Sequence, residues 1–364
     1  MAGFLTYVRS VWTRGTRDNF FVCLVYLVIF TVYFAPQLRG ELLLPGDSFV
    51  QYYPLRLYLA TAGLKDFLWL PQEFLGLPFL GTLQTGLLYP LNLLYLFLPA
   101  PFVFGFNIVV HHVLAALFTF FYLRQLDLDR IPAFFGGLVF GAFGFLMAHK
   151  GHISMVNAAV WLPLLMLLYE KIRCSLKLKY SAWAGVVIAI QVFAGHYQIC
   201  VYTYLVLGFF TAFYFRTVAK GKKLKFIQLC LIPIVWGSLI ALPQLIATQE
   251  LSRFGLRVGN SYDFFTEYSF PPFMLPTLIF PFIFGTAYGG PYWGLWSTTE
   301  LIGFVGILPL VLSIWGAVRL GRKKLHVGFF AFLVLLAFLL ALGRYNPLYR
   351  LMYFAPVYNL FRVP

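Results

Sequence analysis

Nine apolar runs, each close to the length that crosses a lipid bilayer, constrain this chain more than any other feature of its sequence. Only 11% of its residues are charged, whereas a soluble domain carries about 25% charged residues on its surface. Because the chain has too few charges for such a surface, a bilayer must solvate it. The sequence predicts an all-α integral membrane protein, a polytopic bundle of about nine transmembrane helices forming a single domain over residues 1–364. The runs lie near residues 20–36, 101–123, 132–148, 154–169, 181–195, 199–215, 226–246, 300–318 and 326–342.

The lysines and arginines predict which helix ends face the cytoplasm. Of 27 such residues, 18 fall in five short stretches, and cytoplasmic loops carry an excess of this kind. This pattern places the N-terminus in the cytoplasm. The first apolar run lacks a small-residue cleavage site, so it is predicted to be a retained anchor. The five stretches contain Arg9, Arg14 and Arg17; Arg124 and Arg130; Lys171, Arg173, Lys177 and Lys179; Arg216, Lys220, Lys222, Lys223 and Lys225; and Arg319, Arg322, Lys323 and Lys324.

Two large outer loops, about 37–100 and 247–299, are predicted to lie outside the membrane. Each contains a further hydrophobic stretch, residues 77–99 in the first and residues 270–285 in the second. If either stretch crossed the bilayer alone, the basic clusters after it would change sides, contrary to the positive-inside bias. Both stretches contain internal prolines, which break helices. They are therefore predicted to be re-entrant or interfacial segments that lean into the protein.

Several function classes are disfavoured by the sequence. The basic residues sit in short clusters between apolar runs, which is typical of topology signals and argues against a nucleic-acid partner. The sequence contains no Gly-rich phosphate loop, HExxH, GxSxG or close metal-ligand cluster, which argues against nucleotide hydrolysis and zinc catalysis. No run of ionisable residues crosses the predicted spans, as an ion-coupled transporter would require. For the adjacent His111 and His112, packing or helix-end capping is favoured over a proton relay.

Asp47 is the leading candidate for a catalytic residue. It follows the Pro45-Gly46 turn and opens an amphipathic stretch just after the first span. Two interpretations stay open: it caps a helix, or it is a carboxylate at the membrane surface that takes a proton from an incoming hydroxyl group. Gln51 and Tyr52 follow in the same stretch and are candidates for substrate contacts. For the tyrosine, membership of an interfacial aromatic belt is the alternative.

Two short outer hairpins carry basic side chains where helices begin. Lys150 and His152 precede the fourth predicted span, and His196 precedes the sixth. The unpaired N–H groups of a helix N-terminus favour anions, so these three side chains are candidates for holding a phosphate group. The alternative for each is that it reaches toward the membrane interface without a ligand.

Three further ionisable residues belong to the second outer loop or its edge. Arg253 and Arg257 are four residues apart and lie on one face if the segment is helical, so they are candidates for clamping a phosphate or carboxylate. A solvated loop face is the alternative. Glu300 opens the eighth predicted span, where a carboxylate stabilises the helix dipole, and this structural interpretation is favoured over a functional one.

The sequence resembles the YfhO-like family of bacterial membrane proteins. The resemblance runs through nearly the whole chain, in the expected order, as a series of loose motifs. That family is similar to the GT-C class of glycosyltransferases. The motifs are GDSFVQYYPL, LGLPFLGTLQTGLLYPLNLLY, GHISMVNAAVWLPLLML, AGHYQICVYTY, YSFPPFMLPTLIFPFIFG, YWGLWSTTELIGFVGILPL and NLFRVP.

The resemblance implies an enzyme of the bacterial cytoplasmic membrane whose active face is extracytoplasmic. GT-C enzymes take a sugar from a polyprenyl-phosphate donor, and the acceptor expected here is a cell-envelope glycan or polymer. An acidic residue of the first outer loop is the expected catalytic residue, and Asp47 occupies that place. Basic residues of the outer loops are expected to hold the donor phosphate. Some GT-C enzymes use a divalent cation and others do not, and Asp47 has no neighbouring carboxylate that would favour a tightly held metal.

Two other functions remain open at this point. One is a transporter or flippase of lipid-linked saccharides, which would use the same phosphate site and aromatic surfaces. The other is a non-catalytic protein of envelope assembly in contact with membrane lipids. The family's pattern continues past the segment that matches FRVP, so the resemblance predicts a longer protein of which residues 1–364 are a part.

Overall fold

The computed structural model describes residues 16–42, 46–63, 68–73, 75–254, 261–286, 290–355 and 358–364. Within these ranges the chain is mainly α-helical, and its strands form one short antiparallel pair, β1 (Trp69–Leu70) with β2 (Leu77–Pro78). The predicted helical class is therefore confirmed.

The helices of the described residues follow one another along the whole chain. They are α1 (Thr16–Tyr33), α2 (Ala35–Leu38), α3 (Tyr53–Ala62), α4 (Ala100–Gln125), α5 (Arg130–Gly141), α6 (Gly144–Ala148), α7 (Ile153–Ala159), α8 (Leu162–Ser175), α9 (Leu178–Phe193), α10 (Tyr197–Tyr214), α11 (Lys223–Ile240), α12 (Leu242–Ser252), α13 (Tyr262–Phe265), α14 (Ile307–Leu320), α15 (Leu325–Ala341) and α16 (Arg350–Tyr353). A π-helical turn, Ser48–Tyr52, precedes α3.

Five helical segments in the described part of the chain are long and apolar enough to cross a membrane. Every predicted apolar run overlaps one of these five or one of four shorter apolar helices, which supports a membrane protein; the number of spans stays a prediction. The long segments are Ala100–Gln125, Arg130–Gly151, Ile153–Ser175, Tyr197–Thr217 and Lys220–Ile240. The shorter ones are Asn19–Tyr33, Leu178–Phe193, Ile307–Leu320 and Leu325–Ala341.

Prolines mark where several helices begin. Pro101, Pro163 and Pro243 lie in the first turns of α4, α8 and α12. Proline is tolerated there because the first N–H groups of a helix have no partner within the helix. The helices α7 and α8 together form the helical segment Ile153–Ser175 with a break before Pro163, whereas α11 ends at Ile240 and α12 begins at Leu242, just before Pro243.

Apolar side chains at helical spacing build the interior. The largest core cluster includes Leu165 of α8, Ile188 of α9 and Phe210 of α10, and residues of α11 and α15 complete it. A second cluster packs Phe30 of α1 against Val109 of α4. Burial of such side chains contributes about 1.5–3 kcal/mol each. These cores hold the helix ends in fixed relative positions.

The two hydrophobic stretches that contain internal prolines do not form α-helices. Residues 77–99 contain the 3₁₀ segments Leu83–Thr85 and Pro90–Leu96, and residues 270–285 contain Pro272–Leu278. The fully buried Arg56 fastens the first stretch by donating to the Thr85 carbonyl oxygen and, at 3.2 Å, to the Gln84 carbonyl oxygen. Their placement relative to a bilayer stays a prediction.

Short connections alternate between the two ends of the bundle. Residues 126–129 and 176–177 join helices at one end, and residues 149–152 and 194–196 join helices at the other. The segment Ile153–Ser175 has 23 residues, so its ends lie about 35 Å apart at 1.5 Å per residue. We call the end that carries residues 149–152 and 194–196 the outer end, following the predicted topology.

Candidate functional site

Five ionisable side chains from four distant segments come together at the outer end. We call them the histidine–carboxylate cluster. They are Asp47, His149, His152, His196 and Glu300. The cluster contains three of the residues that the sequence nominated, together with two that it did not.

Two buried hydrogen bonds fasten the Asp47 segment to the turn at residues 149–152 and to the first turn of α7. The Ser48 hydroxyl donates to the carbonyl oxygen of Gly151, and the Ser154 hydroxyl donates to the Tyr52 hydroxyl at 3.1 Å. Ser48, Ser154 and Tyr52 are all buried. The π-helical turn that follows Asp47 is therefore held against the beginning of α7.

Asp47 lies at the open side of the cluster. Its Oδ2 is 3.5 Å from Nε2 of His152, and 57% of its side chain is exposed. The side chain makes no capping hydrogen bond to the helical turn that follows, so the helix-cap interpretation of Asp47 is wrong. Burial and the nearby His149 lower the pKa of His152, while Asp47 and Glu300 act in the opposite direction. His152 therefore presents a mainly neutral imidazole to the carboxylate of Asp47 at neutral pH.

His149 and Glu300 form the closed side of the cluster. His149 is 1% exposed, and its Nδ1 is 2.9 Å from the Phe145 carbonyl oxygen, so Nδ1 carries a proton and donates it. Nε2 lies 3.6 Å from Oε2 of Glu300, whose side chain is 19% exposed. Burial alone would raise the pKa of Glu300, but His149, His152 and His196 together bring it below its usual value. Glu300 is therefore an ionised carboxylate that faces Nε2 of His149.

The position of Glu300 corrects its sequence-based interpretation. The residue does not begin a helix, because α14 starts only at Ile307. Gly306 has a φ of +97°, a conformation that L side chains rarely adopt, and residues 302–306 belong to no helix. The prediction that Glu300 stabilises a helix dipole is therefore wrong. Glu300 instead faces a histidine of another segment.

His196 reaches the cluster because Gly195 allows a tight turn of the backbone. Gly195 has a φ of +86°, and a Cβ atom there would lie 2.1 Å from the Leu83 carbonyl oxygen. Only glycine fits this contact between residues 194–196 and the first outer loop. Burial, reinforced by His149, lowers the pKa of His196 from 6.5 to about 4. His196 is thus a neutral imidazole at pH 7, and its buried Nδ1 has no hydrogen-bond partner among the described residues.

Lys150 points to an apolar cavity next to the cluster. The cavity has a volume of about 920 Å³ and is bounded by α5, α6 and residues 298–306. Lys150 shares its wall with Thr298 and Thr299, which precede Glu300, and with apolar side chains such as Phe143 and Ile302. A chamber of this kind suits an apolar chain that carries one anionic group.

The remaining nominated residues lie in varied places. Gln51 donates to the side-chain oxygen of Gln84, which joins the Asp47 segment to the first outer loop. Tyr52 is buried, with its hydroxyl engaged by Ser154 as described above. Arg253 is exposed just after α12, and no hydrogen bond or ion pair connects it to the cluster among the described residues. Arg257 lies outside the described residues.

Sequence reasoning missed His149 and misassigned Glu300. The signal for His149 was available, because it stands in the same short hairpin as Lys150 and His152. The signal for Glu300 was its isolation, since it is the only carboxylate between Glu267 and the end of the chain. A single carboxylate in an apolar segment requires a partner, because an unpaired buried charge is costly.

The cluster does not have the arrangement of a metal centre. Among the residues that the structure describes, no three His, Cys, Asp or Glu side chains are placed to hold one metal ion. The site combines an exposed carboxylate and neutral imidazoles with a lysine and an apolar cavity beside them.

Comparison of the chain with protein-family models, with curated proteins and with solved structures gives no match.

Proposed function

We propose that this chain is a membrane glycosyltransferase that moves a sugar from a polyprenyl-phosphate donor to a cell-envelope acceptor on the extracytoplasmic face. The observation that carries the proposal is the juxtaposition of the cluster with the cavity beside Lys150. An isoprenoid phosphate combines an apolar chain with one anionic group. The apolar cavity suits the isoprenoid chain, and the positive charge of Lys150 suits the phosphate group.

The distribution of basic residues supports an extracytoplasmic site. Lys171 and Arg173 lie near the end of α8, about 30 Å along the helical segment from the turn that carries His149 and His152. Lys220 and Lys222 lie in the 3₁₀ turn directly before α11, at that same remote end. Since cytoplasmic loops collect such residues, the opposite end belongs outside.

The proposed reaction assigns one role to each part of the site. Asp47 takes the proton from the acceptor hydroxyl, whose oxygen then forms a bond to the anomeric carbon of the sugar. The bond between that carbon and the donor phosphate oxygen breaks, and polyprenyl phosphate leaves with the bonding electrons. Lys150, with His152 and His196 as hydrogen-bond donors, stabilises the charge on the departing phosphate. Arg253 and Arg257 remain candidates for contacts with the acceptor or the donor from the second outer loop.

The interior histidines favour transfer over ion-coupled transport. His111 is fully buried and lies between the Asn107 carbonyl oxygen and the Tyr89 hydroxyl, at 2.5 Å from each. His112 is 2.6 Å from the Gly141 carbonyl oxygen. Both lie in the middle of α4, so they cap no helix end, and these contacts are those of packed structural residues. A flippase would need a polar pathway between the helices for the saccharide, and the contacts of His111 and His112 do not supply one.

Direct assay of the full chain tests the proposal. Purified protein in lipid nanodiscs is incubated with synthetic polyprenyl-phosphate sugars and with envelope glycans, and the release of polyprenyl phosphate is measured. The expected result is release that depends on both substrates. Movement of a fluorescent lipid-linked saccharide across vesicles without any release of polyprenyl phosphate would replace the transferase with the flippase.

A further inference from the structure

Residues 298–306, which carry Glu300, are fastened to the helical bundle at two points. The Gly144 N–H donates to the Phe304 carbonyl oxygen at 2.9 Å, and Glu300 lies 3.6 Å from His149. A Cβ atom on Gly144 would lie 2.5 Å from the same Phe304 oxygen, so this contact requires glycine. The segment is therefore held against the first residue of α6 and against the turn that follows α6.

His149 connects Glu300 to the reactive side of the cluster. Its ring centroid is 5.3 Å from that of His152, and His152 in turn faces Asp47 at 3.5 Å. Because Nδ1 of His149 is already committed to Phe145, only Nε2 is left to face Glu300. A continuous row of side chains thus runs from the buried Glu300 to the exposed Asp47.

We propose that Glu300 is a positioning residue for sugar transfer, which through His149 fixes the turn at residues 149–152 and so holds His152 against Asp47. This inference rests on the proposed transferase function and adds a residue to it. Glu300 does not accept the proton of the acceptor hydroxyl, because it faces His149 at 3.6 Å and most of its side chain is buried. That task belongs to Asp47, which is open to an incoming acceptor.

The first test replaces Glu300 by glutamine in the full chain. A misplaced base lowers the turnover rate, so Glu300→Gln is expected to lower kcat by about ten- to a hundred-fold while the KM for the donor changes less than two-fold. The double variant His149→Gln/Glu300→Gln is expected to be no slower than the slower single variant, since the two residues act as a unit. Glu250→Gln, at an exposed carboxylate near the end of α12, is the matched control and is expected to keep full activity.

The second test moves the segment without changing any charge. Gly144→Ala displaces Phe304, and the same loss of kcat is expected. Gly208→Ala is the matched control, because a Cβ atom at Gly208 meets nothing within 4 Å. A reduced kcat in Gly208→Ala equal to that in Gly144→Ala would overturn the assignment, since any glycine substitution would then have the same effect.

A third measurement does not depend on transfer. In a background without the four native cysteines, a cysteine at Thr299 reports access to the segment through its rate of reaction with a polar maleimide. Glu300→Gln and Gly144→Ala are each expected to raise this rate several-fold, and Glu250→Gln is expected to leave it unchanged.

The outcomes separate this inference from the proposed function. Normal transfer by the wild-type chain, with kcat and labelling unchanged in Glu300→Gln, overturns the role of Glu300 alone. A raised KM at unchanged kcat also overturns it, because Glu300 would then bind the donor. Absence of transfer by the wild-type chain overturns the proposed function and, with it, the role in catalysis, whatever the labelling shows.

Discussion

Replacement of Asp47 by asparagine tests the centre of the proposed mechanism. Asparagine has nearly the same shape but cannot take a proton at neutral pH. The Asp47 side chain makes no capping hydrogen bond, 57% of it is exposed, and its contact with His152 at 3.5 Å is with a mainly neutral imidazole. Even an ion pair at a solvent-exposed position contributes only about 0–1 kcal/mol to stability. We therefore expect the variant to insert and fold normally, with a free energy of unfolding within about 1 kcal/mol of the wild type.

The effect on transfer is expected to be much larger. A positioned carboxylate accelerates a reaction of this kind by about 10²–10⁴-fold, so Asp47→Asn should lose at least about a hundred-fold in kcat. Donor binding should persist, because Lys150, His152 and His196 remain in place. The loss thus falls on the chemical step and not on the affinity for the lipid.

The assay compares initial rates of polyprenyl-phosphate release at saturating donor, together with donor binding to the same preparation. Glu41→Gln is the matched control, since Glu41 is an exposed carboxylate of the same outer loop that pairs with Arg39 at 3.8 Å. We expect that control to keep wild-type activity. Normal transfer by a well-folded Asp47→Asn protein would refute the catalytic assignment and move the search for a base to Glu73, Asp263 and Glu267.

Three further predictions follow. A cysteine placed at Arg257 should react with an impermeant reagent added from outside and one at Lys222 should not; reaction at both, or the reverse, would refute the topology. Alanine replacement of Lys150, His152 and His196 together should weaken donor binding by at least ten- to a hundred-fold, since the loss of even one hydrogen bond to a charged phosphate costs about 1.5–3 kcal/mol, and an affinity within two-fold of wild type would remove the site. Because the pKa of His196 falls from 6.5 to about 4, the unfolded chain binds more protons, so stability measured by denaturant should decline by about 3 kcal/mol as pH falls through that window. His196→Gln should flatten this decline.

Much of the fold could be predicted because its signals are local. Each of the nine predicted apolar runs overlaps a helix of the described residues, as expected if a bilayer-length segment satisfies its backbone only as a helix. The prolines of residues 77–99 and 270–285 correctly argued against α-helices there. The start of α14 could not be read in the same way. Its apolar residues continue back to Leu301, but the positive φ of Gly306 and the hydrogen bond from Gly144 to Phe304 keep residues 302–306 out of the helix.

The site was predictable only in part because its contacts are long-range. The hairpin that carries Lys150 and His152 was visible as a helix beginning, and Gly195-His196 was visible as a second one. Whether Asp47 caps a helix depends on side-chain geometry that composition does not determine. His149 precedes α7 and Glu300 follows α13, so the two residues are far apart in the sequence. No local pattern could therefore indicate their contact.

The two carboxylates of the cluster differ in environment, and the difference assigns their roles. Glu300 is mostly buried, and the surrounding histidines keep its pKa below the usual value, so it stays a fixed anion. Asp47 has 57% of its side chain exposed and faces an imidazole whose lowered pKa leaves it neutral, so its charge is not permanently compensated. Paired carboxylates in enzymes divide their tasks according to such differences. In the proposed reaction the acceptor therefore approaches from the open side at Asp47. In the same proposal the lipid chain occupies the cavity beside Lys150, and the sugar is placed between that cavity and Asp47 for displacement of the phosphate.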